Sequence, residues 1–272
     1  MSLSKSCRLI GISRQAVYQQ RRRWHTRQKE LAPVLALIMN IRRVLPRLGG
    51  RKLYYLIKPE LVNRGIKLGR DGLFDFLREN KLLVPPKRQY TKTTHSKNWM
   101  RKHPNLYQTL QLSRPEQAFV SDITYVESKQ KVHYLSLVTD AYSRKIVGYE
   151  LSDDMKTTSV IKAMKTAICG RRTNKELIHH SDRGVQYCSE SYQTILRNNN
   201  IKPSMTDGYD CYQNALAERV NGILKQEFLI QKYATKEILQ KVLDESIYAY
   251  NHYRPHLSLG MKTPNEVHKK AN

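Results

Sequence analysis

Cysteine is scarce. The 272 residues hold four, Cys7, Cys169, Cys188 and Cys211, far apart and with no Cys-x-x-Cys pair. A disulfide framework and a cysteine-ligated zinc site are thereby excluded, and the thiols read as reduced, mostly buried groups of an intracellular protein. Long apolar runs are missing as well. No stretch approaches the length that crosses a bilayer, and the N-terminus has no secretory apolar segment. No amphipathic membrane helix or lipidation signal is present either, so no membrane partner is expected. Negative charge is the third shortage, with 23 Asp+Glu against 48 Lys+Arg, a formal net charge of +25 and an isoelectric point near 10.0. A cytoplasmic protein acting on a polyanion is the first expectation.

The positive excess is unevenly placed. Residues 1–110 carry 25 Lys+Arg and 5 Asp+Glu, whereas residues 111–272 carry 23 and 18. The front is therefore a nucleic-acid grip and the rest a near-balanced globular domain, in a chain long enough for two or more units. The segment from Ser4 to Tyr18 suggests a small helix-turn-helix over residues 1–30. Gly11 suits the turn, Ser13 the N-cap, Arg14 opens the second helix, and Arg21, Arg22 and Arg23 extend it with phosphate-seeking charge. A short solvated basic helix is the plainer alternative. A second helical DNA-binding unit is expected over 31–84, from the spacing of Leu35, Ile38, Ile41 and Val44, the break at Gly49-Gly50, and the apolar face of Leu73, Phe76 and Leu77. Over residues 85–109 the periodicity disappears. Paired prolines followed by Lys87 and Arg88 make a basic linker able to follow a phosphate backbone, with Trp99 expected to anchor it on the next domain and base stacking as the alternative.

From residue 110 the pattern changes to alternating strands and helices. Strands are expected at 117–126 and 131–139, joined by a polar turn, then at 145–151, 176–180 and 201–206. Helices fall after Thr157, over 189–199, around residue 218 and over 235–252. This order predicts an α/β core over 110–232, a mixed five-stranded sheet with flanking helices, followed by a C-terminal helical tail over 233–272.

Three acids stand out in that core. Asp122 lies inside the apolar run Phe119-Val120-Ser121-Asp122-Ile123-Thr124-Tyr125, Asp182 follows Leu177-Ile178-His179-His180-Ser181, and Glu218 sits in the helical stretch Asn214-Ala215-Leu216-Ala217-Glu218. An acid in an apolar strand is expensive to bury unless it is paired or holds a cation. Three acids together repel, and a divalent cation is the ordinary remedy; hard oxygen ligands suit magnesium or manganese. Taken singly, each acid has the plainer reading of a structural hydrogen bond or a helix cap. Asp140, before a Tyr-Ser turn, has the place of an Asp that binds nearby backbone amides, and a structural role is expected for it. Lys225 follows Glu218 by two helical turns and Asn214 precedes it by one, so all three project from one helix face. His180 shares the strand face of Asp182.

The motifs Ser121-Asp122-Ile123-Thr124-Tyr125, Leu137 to Gly148, His180-Ser181-Asp182-Arg183-Gly184-Val185-Gln186-Tyr187 and Asn214-Ala215-Leu216-Ala217-Glu218 with Lys225, with 35 residues between Asp182 and Glu218, resemble the DDE transposases and retroviral integrases. The likeness is greatest to the catalytic reading frame of the bacterial insertion-sequence IS3 transposases and covers nearly the whole chain. It implies an RNase H-like core in which Asp122, Asp182 and Glu218 are catalytic and hold two Mg2+ ions, with Mn2+ as substitute. It further implies double-stranded DNA as substrate, both terminal inverted repeats and target, with a contact from Lys225; Asn214, on the same helix face, is expected to touch DNA or a metal-bound water. Cleavage at the element's ends and 3′-hydroxyl joining, by a copy-out-paste-in route through a circle, follow from it. So do a bacterial, nucleoid-associated setting, self-assembly on paired ends, and an upstream-frame helix-turn-helix partner or frameshift fusion. The sequence departs from the family pattern at Gln213, where Asp is usual, and at Arg219, where a small hydroxyl residue is common. The rival readings are an RNase H-like structure-specific nuclease and a non-catalytic DNA-binding regulator.

Overall fold

In the computed structural model, which describes residues 2–85, 101–207 and 211–270, the chain divides into two compact units. The first takes Met1–Val44 and Gly49–Val84 and is helical: α1 (Leu3–Ile10), α2 (Arg14–Val44), α3 (Gly50–Asn63) and α4 (Arg70–Glu79). Gly11 ends α1 in the left-handed region, φ 73°, so that its amide and that of Ile12 donate to the carbonyls of Arg8 and Cys7. The Ser13 hydroxyl then accepts from the Ala16 amide at 3.1 Å and starts α2.

The separate modules expected over 1–30 and 31–84 are corrected here, because α2 runs unbroken for 31 residues across that boundary. Residues 14–44 contain no glycine and are rich in Gln, Arg, Leu and Ala, which favour helix throughout. Pro33 is accommodated inside it. The first half of α2 buries little, with Tyr18 and Trp24 exposed. Burial begins at Leu31, Val34 and Ile38, joined by Leu53, Ile57 and Leu61 of α3 and Leu73, Phe76 and Leu77 of α4. Gly50 admits no side chain, since a Cβ there would come within 2.8 Å of the Phe74 ring.

The second unit takes Leu45–Leu48 and Pro85–Asn272 and is built on five strands, β1 (Ala118–Glu127), β2 (Val132–Asp140), β3 (Ile146–Ser152), β4 (Leu177–Ser181) and β5 (Ile201–Met205), in the order β3-β2-β1-β4-β5. The first three strands form an antiparallel meander, while β4 and β5 run parallel to β1. Between them come α5 (Thr157–Cys169), α6 (Val185–Cys188) and α7 (Glu190–Asn198). After β5 come α8 (Ala215–Ile223), a π-helical turn over Leu224–Phe228, α9 (Lys236–His252) and α10 (Pro264–Lys270). The mixed five-stranded sheet with flanking helices is the architecture expected from the sequence.

Alternation along β1 sorts the core onto two faces. Phe119 joins Val138, Val160, Met164, Leu177, Tyr192 and Leu196 on the side of α5 and α7. Val120 joins Ala118, Ile178 and Ala217 on the side of α8, where Leu106, Tyr107 and Leu110 also pack. α5 seats against β3 at Gly148, where a Cβ would stand 2.1 Å from the Ala163 carbonyl oxygen. The C-terminal helices are part of this unit and not a separate tail over 233–272. Asn251 of α9 accepts from the Ile146 amide and donates to its carbonyl, each at 3.0 Å, which satisfies the edge of β3. Arg254, 2% exposed, pairs its guanidinium with both oxygens of Glu227, at 2.5 and 2.7 Å.

Candidate active site

β1 and β4 set two of the acids side by side. Their parallel pairing ends at Val120↔His180, and Asp122 and Asp182 each lie two residues beyond it. Both therefore continue on the same face, one strand spacing apart (about 4.8 Å). Asp182 is the first residue after β4, and its Oδ1 accepts from the Gly184 amide at 3.0 Å. A Cβ at Gly184 would sit 3.0 Å from that same oxygen, so glycine gives the carboxylate its room.

The third acid comes from α8. Asn214 donates its side-chain amide to the Ser121 carbonyl at 3.1 Å, and Asn221 donates to Oδ2 of Asp122 at 2.7 Å. These two asparagines lie seven residues apart, so the helix face they share is fastened along β1. Glu218 falls between them on that face and is exposed.

The electrostatics record the convergence. The Asp122 carboxyl is pushed up to about 7, first by burial and then by the charge of Asp182, with Glu218 adding to it; the Ile123 amide and Asn221 pull the other way. Burial also raises Asp182, against the Gly184 hydrogen bond. Glu218 is raised by burial and by Asp182. Carboxylates held above their ordinary range by burial, with Asp182 adding to the other two, form an electron-rich, proton-hungry site. Among the described residues, however, no three His, Cys, Asp or Glu side chains stand close enough to hold one metal ion together. Glu218, exposed and on a long side chain, is the member with freedom to move. The donor chemistry fits a divalent cation: the oxygens are hard and mutually repelling, and no Lys or Arg is among the leading influences on Asp122.

The other residues singled out in the sequence have varied positions. Lys225 lies in the π-helical turn, half-buried, and its Nζ donates to the Thr124 hydroxyl at 3.2 Å. It thus stays over β1, two residues from Asp122, although the helix is not regular there. Asn214 does not face solvent. It is 5% exposed and committed to the Ser121 carbonyl, so the expected DNA contact from it is corrected to a structural one. Arg14, Arg21, Arg22 and Arg23 are exposed along α2. Lys87, Arg88 and Trp99 lie outside the described residues.

His180 is buried, with Nδ1 2.9 Å from the Ser204 hydroxyl and Nε2 3.1 Å from the Gln213 carbonyl oxygen. Burial lowers it to about 4, so it is a neutral structural ring. Asp140 is fully buried, with Oδ1 accepting from the Ser143 amide and hydroxyl, both at 2.7 Å, and Oδ2 from the Glu116 amide at 2.7 Å. Burial opposes its charge, yet hydrogen bonds from His268, Ser143 and Glu116 hold it below the usual carboxylate range. Sequence reasoning passed over Asn221. Its signal was there: a polar residue between Val220 and Ile223, three positions after Glu218 on the same helix face.

Comparison with known proteins places the chain among relatives. Two segments, 113–211 and 199–264, match families each described as Integrase core domain. The 31 kDa protein of insertion element IS600 from Shigella sonnei is 33% identical over 97% of this chain and 97% of its own length. The transposase InsF of insertion sequence IS3A from Escherichia coli K12 is 28% identical over 99% of this chain and 94% of its own. Among solved structures, the simian T-cell lymphotropic virus intasome in complex with a PP2A regulatory subunit contains a chain 19% identical, with a TM-score of 0.51 over 82% of this chain and 75% of that one. At that identity the likeness speaks for the fold. With sequence relatives spanning nearly its entire length, the chain belongs to the IS3 family of integrase-like transposases.

Proposed function

We propose that this transposase cuts DNA at the ends of its insertion element and joins the freed 3′-hydroxyls to DNA, with Asp122, Asp182 and Glu218 as the catalytic carboxylates and the ligands of two Mg2+ ions, for which Mn2+ substitutes. The observation that carries the reading is that Asp122 on β1, Asp182 after β4 and Glu218 on α8 lie within electrostatic reach, Asp182 and Glu218 both raising Asp122 and Asp182 raising Glu218. When bound, the ions supply the activation of a water or 3′-hydroxyl and the neutralisation of a leaving oxygen that in-line phosphoryl displacement requires.

The chain's own residues do the rest. Asn221 orients Asp122, the Gly184 amide orients Asp182, and α8 presents Glu218 beside them. Lys225, over Thr124, places an ammonium where a phosphodiester crosses the site. The exposed arginines of α2, with Lys87 and Arg88, grip the duplex backbone of the element's terminal inverted repeats. Two ends must be held together, so the active form is a homo-oligomer on paired DNA ends. The route is copy-out-paste-in through a circular intermediate, with an upstream-frame helix-turn-helix protein, separate or fused by frameshifting, as partner in end recognition. The bacterial cytoplasm, at the nucleoid, is the place of action.

The test is a strand-transfer assay with duplexes that carry the element's terminal repeats and a target plasmid, in Mg2+ or Mn2+. Wild-type protein joins the 3′-ends, while Asp122→Ala, Asp182→Ala and Glu218→Ala bind DNA without cleaving or joining. Cleavage without joining is the behaviour of a structure-specific nuclease. Binding alone, indifferent to Asp122→Ala, is that of a regulator, and either outcome overturns the reading.

A further inference from the structure

The geometry points to Gln213 and Asp207 as a paired fastener that positions Glu218, an inference that rests on the catalytic role proposed for Glu218. Asp207 follows β5, and Gln213 precedes Asn214 at the start of α8. The Asp207 amide donates to Oε1 of Gln213 at 2.5 Å, and Nε2 of Gln213 donates back to Oδ2 of Asp207 at 2.9 Å. A primary amide accepts from the N–H with its oxygen and donates to the carboxylate with its nitrogen, which an ionised carboxylate at 213 could not do. A carboxylate at 213 would instead set a second negative charge against Asp207.

Two further bonds make the fastening rigid. The Gln213 carbonyl accepts from His180 of β4, and the Asn214 side chain donates to the Ser121 carbonyl of β1. Residues 213 and 214 are thus tied to β4, to β1 and to the residue that follows β5 immediately before α8 begins. Glu218 lies one turn into that helix and is itself exposed, so its place over Asp122 and Asp182 is set by where the helix starts. Asn221 fastens the far side. The departure from the family pattern at Gln213 is therefore a positioning device of this chain.

The test uses the full chain, pre-cut end duplexes and Mg2+. Gln213→Glu lowers the joining rate at saturating DNA by about 10- to 100-fold, the usual effect of losing a partner that orients a ligand, and leaves affinity for the end duplex unchanged. Asp207→Asn alone keeps the rate, because Asn still offers an oxygen to Gln213. The double variant, Gln213→Glu with Asp207→Asn, recovers it, since the new amide donates to the new carboxylate. In metal-free protein, hydrogen exchange at the amides of residues 217–220 quickens in Gln213→Glu and returns in the double variant. A Gln213→Glu protein with wild-type rate and exchange overturns the inference, as does a double variant that stays as impaired as the single one. If the single variant does not fold, the double variant decides: folded and active supports the fastener, unfolded or inactive sinks it. Wild-type protein that never joins ends refutes the catalytic reading instead, and the exchange measurement then still judges the fastener.

Discussion

Asp122→Asn in metal-free protein should stabilise the fold while abolishing the chemistry. The Asp122 carboxyl is held at about 7 against an ordinary value of 3.8. A difference of about 3 pK units corresponds to at most about 4 kcal/mol by which the charged form disfavours the folded state. A pKa raised in the folded state means that the fold binds the extra proton, so stability falls as pH rises from about 4 to 7 and the full penalty stands above 7. Asparagine carries no charge and keeps an oxygen to accept from Asn221, so it removes the penalty without vacating the site. Each kcal/mol moves the melting temperature of a chain this size by about 2–4 °C. Calorimetry in chelator should therefore find the variant melting several degrees above wild type at pH 8, with the gap narrowing at pH 6 and closing near pH 4. Magnesium added at pH 8 raises the wild type more than the variant, because the ion binds the folded carboxylates. Equal melting at pH 8, or a gap indifferent to pH, would refute the argument that burial and the neighbouring acids hold the Asp122 carboxyl above its ordinary range.

Other consequences are equally direct. Arg254→Ala strips two guanidinium hydrogen bonds from the half-buried Glu227 carboxylate and should lower stability by about 1.5–3 kcal/mol, read by urea unfolding. Gly148→Ala forces a methyl group against the Ala163 carbonyl and should destabilise by about 1–3 kcal/mol or more, seen as a lower melting temperature. Lys225→Ala should weaken DNA binding across sequences and reduce the slope of log affinity against log salt by about 1, measured by fluorescence anisotropy. Asp140→Ala strips the acceptor from two backbone amides and a hydroxyl, so activity should fall only with stability, and Mg2+ dependence should be unchanged.

Local signals in the chain predict the core well. The strand around Asp122, the break after Asp182 and the helix around Glu218 all carry their own periodicity and turn residues, and each acid lies where that periodicity puts it. What the sequence hides is pairing at a distance. Asn221 to Asp122, Arg254 to Glu227 and Glu116 to Asp140 join residues separated by 99, 27 and 24 positions, and no local pattern marks them. Asn214 shows the converse. Its helical spacing from Glu218 is right, but spacing along a helix says which face a residue shares and not whether that face meets solvent or a strand. In the front unit, arginine and glutamine favour helix as strongly as any core residue does. A turn near residue 30 had no glycine to make it, and one long helix formed instead.

The most direct measurement is anomalous X-ray scattering from crystals of the full chain grown with pre-cut end DNA and Mn2+. The account predicts two manganese peaks beside the scissile phosphate, held by the carboxylates of Asp122, Asp182 and Glu218. Manganese bound elsewhere, or a Glu218 carboxylate directed away from both ions with the DNA in place, would contradict it.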